Sequence, residues 1–155
     1  MRRTGRTDRY QPTGGCTLAA NRDGSPYRIK VLLDANALMM PAQFRIDLFG
    51  EIRELLGSFE PVVLPGVVRE LSGLANAKGQ DGAAARFGLA LAGECTLADE
   101  QDARDIPVDD QVITWAAGRD CMVVTNDRQV RDALLSRGIG VISMRKQKKL
   151  EILRR

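Results

Sequence analysis

Short apolar runs rich in Val, Ile and Leu, several with a carboxylate close behind, constrain this chain more than any other feature. Ile29-Lys30-Val31-Leu32-Leu33 is followed at once by Asp34, and Pro61-Val62-Val63-Leu64 leads into the segment that carries Glu70. Cys121-Met122-Val123-Val124 is followed three residues on by Asp127, and Asp110 opens a helical pattern ahead of it. Apolar runs of strand length without polar alternation suit strands covered on both faces, as in a parallel sheet between helices. Strands are therefore expected at 29–33, 62–64, 95–97, 122–124 and 140–143.

Between these runs the spacing predicts helices. Residues 43–57 set Leu48, Phe49, Ile52, Leu55 and Leu56 on one face and stop at Gly57. Pro65 suits the first turn of a second helix carrying Val67, Val68, Leu71 and Leu74. A third covers about 82–93. Asp109 or Asp110 caps a fourth, with Val112, Ile113, Ala116 and Ala117 inward, and a fifth spans 128–137 before Gly138. Alternating β and α elements with short connections predict an α/β fold, a three-layer α/β/α sandwich around a central parallel sheet. The expected organisation is a disordered basic leader at 1–28, one domain over 29–150 and a basic tail at 151–155. Residues 145–155 as a whole suit either a short basic helix or a loose end.

Composition removes whole classes of chemistry. The chain has no histidine, which excludes Ser-His-Asp and Cys-His catalysis and imidazole-bound zinc. Cys16, Cys95 and Cys121 are odd in number and contain no C-x-x-C, so neither a disulfide framework nor a zinc finger is indicated. Hydrophobic residues make up 44% and no apolar run reaches membrane-span length, so a cytoplasmic protein is expected. If the chain is an enzyme, carboxylates and a hard metal ion must do the work. Charge is also uneven: residues 1–28 carry net +4, residues 143–155 net +5 and the stretch between net −6. An acidic body with basic ends suits a polyanion held by the ends and presented to metal in the body.

Open parallel sheets bind ligands in the crevice beyond the carboxyl ends of their strands. Asp34-Ala35-Asn36 puts a carboxylate and an amide there, Glu70 lies about 7.5 Å along a helix from such an end, and Thr125-Asn126-Asp127 adds a hydroxyl, an amide and a carboxylate. Each group has a plainer role as a helix cap or a solvated side chain. Their recurrence at one end of one sheet favours a divalent cation among them, because four unneutralised carboxylates repel.

Asp34-Ala35-Asn36, Glu70 within Val-Val-Arg-Glu-Leu, Asp110 within Asp-Asp-Gln-Val-Ile, and Thr-Asn-Asp127, in that order, resemble the PIN domain of metal-dependent ribonucleases. Met39-Met40-Pro41-Ala42-Gln43-Phe44 and Val141-Ile142-Ser143-Met144-Arg145 resemble, within that family, archaeal proteins related to the ribosomal RNA-processing endonuclease of the small-subunit processome. VapC-type toxins share the acids and typically lack the Met-Pro-x-x-Phe stretch. The resemblance implies an endoribonuclease whose catalytic and metal-binding acids are Asp34, Glu70, Asp110 (or its neighbour Asp109) and Asp127. It implies Asn36 and Thr125 as supporting groups, and RNA as partner, with pairing of two copies common in the family. Hard oxygen donors suit Mg²⁺ or Mn²⁺. Basic groups outside the site, Arg145, Lys146, Lys148 and Lys149, are candidates to hold the RNA backbone. The remaining alternatives are a toxin ribonuclease and a non-catalytic RNA-binding scaffold.

Overall fold

The computed structural model describes residues 28–99 and 103–154. Six strands form one sheet in the order β3-β2-β1-β4-β5-β6. They are β1 (Ile29–Leu33), β2 (Phe59–Val63), β3 (Thr96–Leu97), β4 (Cys121–Val124), β5 (Gly140–Arg145) and β6 (Lys149–Leu153). The first five run parallel, and β6 returns antiparallel beside β5. Six helices connect them: α1 (Ala35–Phe44), α2 (Leu48–Leu56), α3 (Pro65–Leu74), α4 (Gly79–Ala92), α5 (Val108–Ala117) and α6 (Arg128–Ser136). The α/β sandwich expected from the apolar runs is the fold observed.

The reason lies in the two central strands. Val31, Leu32 and Leu33 of β1 and Val123 and Val124 of β4 have no exposed surface, so both faces of the sheet's middle need a helical cover. From β1 the chain steps outward to β2 and β3, then crosses back to β4 and steps the other way to β5. Right-handed crossovers in opposite directions lay their helices on opposite faces. Accordingly α1 packs against α2, α3 and α4, while α5 packs on α6 and β4. The order reverses between β1 and β4, which is the switch point where such sheets bind ligands. Register there pairs Leu33 with Val124, so Asp34 and Thr125 leave the sheet side by side.

Several elements differ from expectation. The helix expected at 43–57 is α2, which starts after Asp47 and is capped by Gly57, and a further helix that was not expected, α1, begins directly after Asp34 and runs through Pro41 to Phe44. A residue before proline disfavours helix, which hid α1; packing outweighs that preference, since Met39 and Met40 are buried. The third helix starts earlier, at Gly79. Neither Asp109 nor Asp110 caps the fourth: Pro107 holds the cap position, both acids lie in the first turn, and Ala117 is exposed. The basic helix or loose tail expected at 145–155 is instead the end of β5, a tight turn and β6, and residues 151–153 belong to the sheet. Leu150 of β6 is buried against the core, and its backbone N–H donates to the Glu51 carboxylate of α2. The expected leader lies outside the described residues except for Arg28, which is exposed, and Cys16 lies outside them too. Among the described residues no helix is long and apolar enough to cross a membrane.

Candidate active site

Asp34 is the most buried acid among the described residues. It is 4% exposed and caps α1, accepting from the Ala37 N–H at 3.0 Å through Oδ1 and from Asn36 Nδ2 at 3.0 Å through Oδ2. The Thr125 hydroxyl also bonds it, and among the described residues no lysine or arginine pairs with it. Burial pushes its pKa from the ordinary 3.8 up to about 7, against the lowering effect of those hydrogen bonds; the charge on Asp109 pushes the same way. A carboxylate has about four lone-pair sites, so Asp34 keeps acceptor capacity beyond these bonds.

Asp127 occupies the equivalent place after β4. It caps α6 by accepting from the Val130 N–H at 3.1 Å and is half-buried. Both acids thus stand at helix N-termini, where the dipole favours negative charge. The plain capping role and a site role are therefore compatible, and capping holds each side chain in one rotamer.

A polar net joins the two strand ends. Thr125, wholly buried, accepts from Asn36 Nδ2 at 3.3 Å and from the Asp127 N–H at 3.1 Å. The Asn126 N–H donates to Asn36 Oδ1 at 2.8 Å. Asn126 Oδ1 in turn accepts from Ser143 Oγ at 3.1 Å and from the Met144 N–H at 2.9 Å, tying the ends of β1, β4 and β5 together. Asn36, Thr125 and the Asn126 amide are groups that the sequence places at the strand ends, whereas the part played by Ser143 is not visible there, because its partner is 17 residues away.

Glu70 lies on α3 and the Asp109-Asp110 pair in the first turn of α5. Partial desolvation raises the Glu70 pKa, and the charge of Asp109 raises it further while Arg69 opposes. The Asp109 pKa is raised by partial desolvation first, then by Asp127 and by Asp110. Charge coupling therefore converges on Asp109, which interacts with Asp34, Glu70 and Asp127 as well as with Asp110 beside it. Among the described residues no three acids or thiols stand close enough to enclose an ion as they are. The donor chemistry nonetheless fits a hard cation: every candidate ligand is a carboxylate oxygen, and the buried one has no cationic partner among the described residues.

The candidate RNA-holding residues fall on one feature. Arg145, Lys146, Lys148 and Lys149 are exposed on the β5–β6 turn, which lies at the carboxyl end of β5, the end of the sheet that carries the acids. Lys146 and Gln147 take left-handed backbone angles (φ 53° and 59°), and the Lys148 N–H closes the turn on Arg145 O at 3.1 Å.

A mostly parallel α/β sheet with Asp34 and Asp127 at the ends of the two strands that flank its switch point is the architecture of a PIN-like domain. A family model described as a PIN like domain matches residues 31–147, and the chain belongs to that family, the one its motifs resemble. It is 28% identical over 120 residues to Ribonuclease VapC9 of Archaeoglobus fulgidus, covering 77% of this chain and 85% of that protein. The solved structure of the PIN domain endonuclease Utp24 matches with a TM-score of 0.64 at 22% identity, over 81% of this chain and 92% of that one, which is a likeness of fold.

Proposed function

We propose that the chain is a divalent-metal-dependent endoribonuclease that hydrolyses internal phosphodiester bonds of RNA. The observation that carries this is the buried Asp34 carboxylate at the switch point, coupled electrostatically to Asp109 and joined through the Thr125–Asn36 net to Asp127. Membership of the PIN-like family and the likeness to Ribonuclease VapC9 support it.

Asp34 and Asp127 would hold Mg²⁺ or Mn²⁺, with Glu70 and one acid of the 109–110 pair completing the site. Asp109 is the better candidate of the two, because its charge is coupled to those of Asp34, Glu70 and Asp127. When bound, a divalent ion in such a site activates a water and offsets charge on the attacked phosphate. Asn36 and Thr125 keep the Asp34 carboxylate in place, and Asn126 locks the β4 end to β5 so that Asp127 cannot swing away. Without metal the acids repel RNA phosphate, which limits unproductive binding. The basic β5–β6 turn would hold the RNA backbone at the same end of the sheet.

Processing of ribosomal RNA is the role suggested by the resemblance of the Met39-Met40-Pro41-Ala42-Gln43-Phe44 stretch, the second half of α1, in which Met39 and Met40 are buried and Ala42 and Gln43 exposed. A toxin role for the same chemistry would show as growth arrest on expression of wild type and not of Asp34→Asn.

The test uses labelled single-stranded RNA with Mn²⁺, Mg²⁺ or chelator. Wild type should make metal-dependent internal cuts, and Asp34→Asn should lose at least about 100-fold in rate, the equivalent of a few kcal/mol of transition-state stabilisation. Asp109→Asn should fall further than Asp110→Asn; the reverse order would move the ligand to Asp110. Full activity in Asp34→Asn would remove the metal assignment, and RNA binding without cleavage by either protein would favour a scaffold.

A further inference from the structure

Among the described residues three polar side chains are buried: Asp34, Thr125 and Ser143. The first two stand at the switch point. Ser143 lies on the neighbouring strand β5, between Ile142 and Met144, and is 3% exposed. A hydroxyl enclosed in such a strand costs free energy unless it is bonded, and alanine would serve folding there about as well. Ser143 Oγ spends its bond on the Asn126 amide, so its contribution lies in what that amide holds.

Backbone N–H groups fix which way both amides of the net are turned. The Met144 N–H donates to Asn126 at 2.9 Å and the Asn126 N–H donates to Asn36 at 2.8 Å, so the accepting atom of each side chain is its Oδ1. Asn36 must therefore turn its NH2 the other way, toward Asp34 Oδ2 at 3.0 Å and Thr125 Oγ1 at 3.3 Å. A reversed Asn36 would set a carbonyl oxygen against the Asp34 carboxylate. The amide torsion of an asparagine is broad, and a single acceptor bond leaves it room to swing. Ser143 Oγ, at 3.1 Å, gives Asn126 Oδ1 its second bond, and the two bonds together use both lone pairs of that oxygen. Residues 125–127 are the whole connection between β4 and α6. The Thr125 N–H on Ile142 O at 3.0 Å holds its first residue to β5, and the two bonds to Asn126 Oδ1 hold its middle one.

We propose that Ser143 is a positioning residue for the cleavage reaction: through Asn126 and Asn36 it keeps the Asp34 carboxylate turned to receive a metal ion, and it touches neither RNA nor metal. The assignment rests on the ribonuclease reading above and adds to it a residue of the Val141-Ile142-Ser143-Met144-Arg145 stretch. Loss of the hydroxyl orphans no buried group, because Asn126 Oδ1 keeps the Met144 N–H. The serine is therefore dispensable for stability and needed for geometry, the reverse of a merely structural hydrogen bond.

Full-length wild type, Ser143→Ala, Ser143→Cys and Ser143→Thr are compared by thermal midpoint in chelator, by NMR exchange of the Asn36 side-chain NH2 protons in chelator, and by kcat and KM for labelled single-stranded RNA with Mn²⁺. Cysteine fills the space of serine with a poor donor, and threonine keeps the hydroxyl. The Ala and Cys variants should keep the midpoint and exchange the Asn36 protons at least about ten-fold faster. They should also lose at least about ten-fold in kcat with KM unchanged, as for an interaction expressed in the transition state alone. Ser143→Thr should restore slow exchange and kcat. A lowered midpoint with unchanged kcat in Ser143→Ala overturns the proposal by leaving a structural hydrogen bond, and a raised KM at unchanged kcat overturns it by making Ser143 an RNA contact. Ser143→Cys as active as Ser143→Thr also overturns it, since volume and not the hydroxyl would then matter. Faster Asn36 exchange in Ser143→Ala, with no cleavage by wild type, keeps Ser143 as the group that holds Asp34 and loses the nuclease. Unchanged exchange and kcat in Ser143→Ala, with cleavage by wild type, keep the nuclease and lose the role of Ser143.

Discussion

Asp34 carries a cost that a bound cation would relieve. Its pKa rises from 3.8 to about 7 chiefly by burial, so ionising it in the folded protein is unfavourable compared with ionising it in the unfolded chain. A raised carboxyl pKa contributes stability that is complete below the unfolded value and is lost as pH climbs through the folded one. The window is therefore about pH 4 to 7, and the full gap corresponds to ~4 kcal/mol at roughly 1.4 kcal/mol per decade. In chelator, the thermal midpoint of wild type relative to Asp34→Asn should fall between pH 5 and pH 8.5. Adding Mg²⁺ or Mn²⁺ at pH 8.5 should restore stability to wild type and not to the variant. A midpoint difference that ignores pH would mean that Asp34 is not the buried ionising group described.

At the scale of elements, the site depends on how closely α1 can lie against α4. The α4 sequence is rich in Gly and Ala, with Gly82, Ala84, Ala85, Gly88 and Ala92 buried, and a Cβ on Gly88 would come within 3.1 Å of the Leu38 carbonyl oxygen of α1. Small residues there let backbones approach, and because Asp34 caps α1, any shift of that helix moves the buried carboxylate. Gly88→Leu should cost about 1–3 kcal/mol by overpacking, read as a lower urea midpoint. It should also reduce metal-dependent cleavage more than the stability loss accounts for. A neutral midpoint would show that the α1–α4 contact gives way without resistance.

For the molecule as a whole, the acidic body and the basic C-terminal segment acquire a geometry. The cationic residues at 145–149 form a turn held by β6, and β6 covers the edge of β5. Deleting the chain after Met144 would remove a strand of the sheet, so the charges are better neutralised in place. Lys146, Lys148 and Lys149 changed to Gln should weaken RNA binding and flatten its dependence on salt. The slope should fall by about 0.7 for each phosphate that the turn no longer neutralises. An unchanged slope would mean that the turn does not touch the RNA.

Fold class and candidate acids were legible in the amino-acid order alone. Continuous Val/Ile/Leu runs such as Val31-Leu32-Leu33 and Val123-Val124 can be buried on both faces only in a parallel sheet, and acids directly beyond such runs must come out at its carboxyl edge. Other features were not legible, because they depend on partners distant in the chain. Helix α1 forms through Pro41 because burial of Met39 and Met40 outweighs local preference, and β6 forms because β5 offers an open edge. Asp109 and Asp110 differ by about 100° of rotation around α5, and which of them turns toward Asp34 depends on how that helix packs on α6, α3 and β4. Asn126 and Ser143 are joined across the sheet by tertiary contact. Local patterns encode which faces are buried; the separations of a few ångströms on which a site depends arise when those faces pack.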